Sequence, residues 1–150
     1  MKAINRREAF ALGGGFVLLT LVPMAANAEI TNDAAKWIEK FTGGKEPGKG
    51  KVALDLPEIA ENGNTVPLTV SVESPMTAES YVKEVMILAD GNPNAGVATL
   101  SFTPLSGKAE AAIRIRLATT QNVIAIAKMS DGALFTNQKT VKVTIGGCGG

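Results

Sequence analysis

The only thiol in this 150-residue chain is Cys148, framed by two glycine pairs in the closing stretch GGCGG. A thiolate is a nucleophile that can hold a group covalently, so a lone cysteine suffices as an attachment point. The chain contains no histidine. That excludes within it a Ser-His-Asp or Cys-His nucleophilic site, a histidine-ligated haem and a zinc site. Low thiol pKa values come from helix N-termini, neighbouring cations or metals, and none adjoins the tail. The carboxylate of Gly150 is a like charge that disfavours thiolate. Cys148 therefore reads as an attachment point activated by whichever enzyme receives it, with no catalytic residues and no cofactor or metal of its own, and the chain is not expected to be an enzyme.

Gly146, Gly147, Gly149 and Gly150 carry no side chains and populate backbone angles that other residues avoid, so they form a flexible arm that tethers the thiol without positioning it. Three residues beyond Ile145, the sulfur can sweep a radius of roughly 10 Å. A thin arm of this kind can enter a narrow active site on another protein. The alternative is a structural or interaction sandwich whose terminal cysteine forms an intermolecular disulfide, because a single cysteine has no internal partner. A ubiquitin-like carrier with sulfur on its terminal carboxylate would need cytosolic ATP-dependent activation, which the export leader described next argues against.

Residues 1–28 read as an export signal. Lys2, Arg6 and Arg7 are basic, Phe10 to Met24 is apolar but broken by Gly13-Gly14-Gly15, and Ala26-Asn27-Ala28 is a small-x-small cleavage pattern. A membrane span needs about 20 apolar residues, so the segment is expected to be cleaved, leaving no membrane attachment. The Arg6-Arg7 pair resembles a twin-arginine signal, and the expected destination is the periplasm. Removing these residues takes away three of 15 basic and one of 14 acidic groups, leaving 122 residues with 12 and 13. This is one domain's worth of chain, near neutrality and without the basic stripe of a nucleic-acid surface.

Two other constellations have ordinary explanations. Gly43, Gly48 and Lys49 match the G-x-x-x-x-G-K spacing of a phosphate loop, but Gly50 stands where the motif needs Ser or Thr, and a helix precedes it where a strand is required. Arg114 and Arg116 lie on one face of a strand pattern, where a solvated face or an anion or partner contact are both open.

The elements that must hold the tail follow from periodicity. Ala34, Trp37, Ile38 and Phe41 form one stripe of a helix over 32–41, capped by Thr31 or Asn32 and ended by Gly43, which packs on its own domain or grips a partner subunit. From Lys51 the period becomes two. Val66, Leu68, Val70 and Val72 share a face, as do Ala109, Ala111, Ile113, Ile115 and Leu117. Further alternating runs start at Tyr81, Val97 and Asn122, with turns at DGNPNAG and at Ser130-Asp131-Gly132. The last run, TVKVTI, predicts a strand held until Ile145. About seven strands with short connections predict an all-β, antiparallel immunoglobulin-like sandwich over 29–145, with a short N-terminal helix and the arm at 146–150.

The stretches LPEIAENGNTVPLTVSVESPMT from Leu56, NPNAGVATLSFTP from Asn92, RIRLATTQNVIAIAKMSDG from Arg114 and the closing VTIGGCGG together resemble the SoxY family, the sulfur-carrier subunits of the bacterial thiosulfate-oxidising (Sox) system. The resemblance implies that a c-type haem enzyme, SoxAX, joins thiosulfate oxidatively to Cys148. It further implies that the hydrolase SoxB releases sulfate to leave a persulfide, and that a sulfane dehydrogenase, where present, finishes the cycle. It also implies a heterodimer with SoxZ.

Overall fold

The computed structural model describes residues 33–146. The expected leader and Gly147 to Gly150, Cys148 included, lie outside the described residues. In chain order the elements are α1 (Ala34–Thr42), β1 (Gly48–Lys49), β2 (Val52–Asp55), β3 (Ile59–Ala60), β4 (Val66–Val72), β5 (Val82–Ala89), β6 (Gly96–Ser101), a 3-10 turn (Pro104–Ser106), β7 (Ala109–Ile115), β8 (Gln121–Met129) and β9 (Leu134–Val143).

The alternation expected of β4 is realised: Val66, Leu68, Val70 and Val72 are buried while the residues between them are not. β4 pairs antiparallel with β7, Val66 opposite Ile115 and Val72 opposite Ala109, and on its other side with β2. These three strands make the smaller sheet. The larger has the order β1–β9–β8–β5–β6, with β3 also on β9. Side chains from the facing sides interlock in one core that includes Leu68, Val70, Val85, Ile87, Leu117, Val123 and Val141. The two-sheet sandwich with one short N-terminal helix is thus borne out.

Four details differ from expectation. First, β5 does not alternate, because it is covered on both faces. Val85, Ile87 and Ala89 face the smaller sheet, while Met86 and Leu88 join Ile126 and Leu134 under Trp37, Ile38 and Phe41 of α1. A third layer therefore covers the larger sheet. Second, β9 begins at Leu134, well before TVKVTI. Its first six residues, LFTNQK, are largely polar and half-exposed, yet they pair with β8 from Lys128 to Val123. Third, β9 ends at Val143, not Ile145. Fourth, pairing is not wholly antiparallel. β1 and β3 each lie parallel to β9, at Phe135–Thr136 and Lys142–Val143. Two residues show no periodicity, so neither strand is visible in the sequence.

The helix runs over 34–42 rather than 32–41 and ends at Gly43, as expected. Asp33 occupies its N-cap position without capping it through its side chain. Instead its carboxylate accepts hydrogen bonds from Trp37 Nε1 at 2.8 Å and from the Ala95 backbone N–H at 2.9 Å. Those donors, Ala95 foremost and then Trp37, hold its pKa below the ordinary value of 3.8. Asp33 thereby ties α1 to the turn between β5 and β6. No helix among the described residues is long and apolar enough to cross a membrane.

Candidate functional site

Cys148, Gly147, Gly149 and Gly150 lie outside the described residues, so the part of the site on view is the root from which the tail leaves. It sits at one end of the sandwich, where β9 finishes beside the turns β3–β4, β5–β6 and β7–β8.

The chain does not come free where β9 stops. Thr144 N–H donates to the Ala60 carbonyl at 3.1 Å, and its hydroxyl donates to the Glu61 carbonyl at 3.1 Å. Gly63 N–H donates to the Ile145 carbonyl at 2.9 Å, and the Gly63 carbonyl accepts from Leu117 N–H at 2.8 Å. One residue, Gly63, thus bridges the outgoing tail and the β7–β8 loop. The Ile145 side chain itself is 69% exposed. At Gly146 the place a Cβ would take is filled by the carbonyl oxygen of Ala118, so only glycine fits that close approach. The first of the four arm glycines is therefore seated on the sandwich.

The loop that forms this seat is held from beneath. Asn92 and Gln121 are only 8% and 5% exposed, and they are joined by a bond from Gln121 Nε2 to Asn92 Oδ1 at 2.9 Å. Asn92 Oδ1 also accepts from Ala118 N–H at 2.9 Å, and Asn92 Nδ2 donates to the Arg116 carbonyl at 2.9 Å. Gln121 Nε2 donates to the Thr119 carbonyl at 3.0 Å, and its Oε1 accepts from Gly91 N–H at 2.7 Å. Leaving a buried donor or acceptor of such a set unpaired costs about 1–3 kcal/mol, which disfavours opening of the loop. Thr120 completes the seat: its hydroxyl oxygen accepts from Val143 N–H at 3.0 Å.

Sequence reasoning singled out the thiol, which lies outside the described residues, and missed Gly63, Asn92, Thr120 and Gln121. Asn92 and Gly63 look like ordinary turn residues, and no local pattern marks an amide that will be buried. Arg114 and Arg116 are both exposed, although only Arg114 lies within β7. Among the described residues no group of three or more carboxylates or sulfurs is placed to hold a metal.

The family model for SoxY, a sulfur oxidation protein, matches residues 38–148. The chain belongs to the SoxY family. The match starts within α1, spans both sheets and the tail root, and runs to Cys148. Among solved structures, the sulfur carrier protein SoxY from Chlorobium limicola f thiosulfatophilum is 29% identical, with a TM-score of 0.63. That comparison covers 75% of this chain and 97% of the Chlorobium SoxY. The superoxide reductase (neelaredoxin) of Ignicoccus hospitalis aligns at 18% identity and TM-score 0.56, over 63% of this chain and 80% of its own. A putative superoxide reductase from Thermotoga maritima aligns at 17% and 0.52, over 69% and 89%. At such identities these two share the fold of the SoxY chain and nothing more is carried over from them. A search of curated proteins finds no match by sequence.

Proposed function

We propose that the chain is a periplasmic, non-enzymatic carrier that holds thiosulfate-derived sulfur on Cys148 and presents it to the enzymes of the Sox pathway. What carries this reading is that the family match extends through the root to residue 148, the chain's one thiol. The chemistry assigned to the tail balances. The Cys148 thiolate joins the sulfane sulfur of thiosulfate with loss of two electrons to the haem partner SoxAX. Water then cleaves the sulfur–sulfonate bond through SoxB, releasing sulfate and two protons and leaving a persulfide on Cys148. Where a sulfane dehydrogenase is present, the persulfide sulfur is oxidised and removed in turn. The chain supplies no general acid, base or metal for these steps, which is the division of labour expected of a histidine-free carrier. Its arm of glycines supplies access, its route of export is the twin-arginine one, and its companion subunit is SoxZ.

Intact-mass analysis of the mature protein after exposure to thiosulfate and these partners tests the assignment. Sulfonate- or sulfur-bearing increments on the C-terminal peptide, removed by a thiol reductant and absent from Cys148→Ser, are expected. Undiminished thiosulfate-dependent turnover by Cys148→Ser would remove the assignment. A stoichiometric disulfide dimer as the working form, seen by non-reducing electrophoresis, would replace it with a structural role.

A further inference from the structure

Three loops far apart in sequence meet beneath the last described residue, and they do so through a buried polar pair that the carrier chemistry does not itself require. Asn92 acts through the β7–β8 loop, holding Arg116 by its carbonyl and Ala118 by its N–H, while Gln121 braces it from the next strand. The loop so fixed presents two backbone groups to the outgoing chain. Leu117 N–H orients Gly63, which grips the Ile145 carbonyl, and the Ala118 carbonyl stands against Gly146. Released from these contacts, Ile145 and Gly146 would lose their places on the sandwich, while Thr144 keeps its own bonds to Ala60 and Glu61.

We infer that Asn92 is a positioning residue for Cys148: through the β7–β8 loop and Gly63 it sets the point and direction from which the chain leaves the sandwich at Gly146. The functional importance of this socket rests on the proposed carrier role of Cys148, whereas its existence does not. A chain held at Gly146 has two residues up to the cysteine, against four if it is held only as far as Thr144. The span of a flexible chain grows with the square root of its length, so for such a chain the socket narrows the reach of the thiol by about 1.4-fold in each dimension. A partner's active site then meets a confined thiol.

The test uses the full mature chain with a spin label on Cys148 and a second on Glu110→Cys, an exposed position on β7, and reads the distance distribution between them. Asn92→Ala is expected to broaden the distribution by up to about 1.4-fold, following the same square-root scaling. Leu134→Ala, on the helix side of the larger sheet, is expected to lower stability while leaving the distribution as in the parent. Equal distributions for Asn92→Ala and the parent, or equal broadening by Leu134→Ala, would overturn the inference. Should Asn92→Ala not fold, Gly146→Ala displaces the tail from Ala118 at the end of the chain and is expected to shift or broaden the same distribution; an unchanged one overturns the inference. No sulfur chemistry enters this measurement. A chain that takes no sulfur on Cys148 but shows these shifts has the socket without the carrier role, and the opposite result separates them the other way.

Discussion

Gly91 and Gly146 show how little of the root is written in any one residue. A Cβ at Gly91 would stand 2.8 Å from Gln121 Cβ and 3.1 Å from Thr119 Cγ2, so the β5–β6 turn lies on the β7–β8 loop only because position 91 has no side chain. Gly91→Ala forces the turn away from Gln121 and loosens the bond its own N–H makes to Oε1. Overpacking of this kind costs about 1–3 kcal/mol, and urea denaturation is expected to show a loss in that range. A loss below a few tenths of that scale would mean that the turn is not wedged against Gln121. Cys148, by contrast, is singled out by composition alone, as the unique cysteine of a histidine-free chain. Nothing in the letters DGNPNAG distinguishes Asn92, which is buried, from Asn94, which bonds the Gly96 N–H at the surface.

Among the elements, long strands were readable and short ones were not, for a physical reason. β4 and β7 have one face on the core and one outside, and that asymmetry writes an alternating pattern. β5 loses the pattern because α1 covers its second face, and β1 and β3 owe their pairing to the neighbouring β9 rather than to their own two residues. The stripe of α1 was readable, but its fastening was not, because Asp33 looks like a favourable first-turn acid and is in fact a bridge to Ala95 and Trp37. That bridge has a pH signature. A carboxylate whose folded pKa is depressed contributes stability that is present above its unfolded value, here near 3.8, and that is lost as pH falls through the lower folded value. Trp37 is the only tryptophan, so its emission reports the docking of α1 directly. Acid titration is expected to change that emission below the ordinary aspartate range in the parent, and Asp33→Asn is expected to abolish that step. The same acid transition in both proteins would assign it to another group.

At the scale of the whole molecule, the short arm limits where partners can bind. Cys148 is two residues beyond the seated Gly146, and an extended chain spans at most about 3.6 Å per residue, so with its side chain the sulfur stays within roughly 10 Å of that seat. β9 has ten residues and at about 3.4 Å each runs some 30 Å along the sandwich. An enzyme that takes Cys148 into its active site must therefore press on the end where Ile145, Gly63 and the β7–β8 loop lie, and cannot be served from the other end. Exposed apolar side chains exist at both ends, Ile145 at 69% and Leu105 at 97%, which allows a paired comparison. Leu105 sits in the 3-10 turn between β6 and β7, beside the ends of β4 and β7 remote from the root. Ile145→Glu is expected to raise KM for arm-dependent turnover several-fold with little change in thermal stability, since its backbone contacts to Gly63 are retained. Leu105→Glu, with its charge at the more exposed of the two positions, is expected to leave KM for the same enzymes where it was. Should Leu105→Glu raise KM as much as Ile145→Glu does, partners would have to grip the sandwich far from its tail, and an arm rooted at Gly146 could not reach their active sites without a further rearrangement of the root.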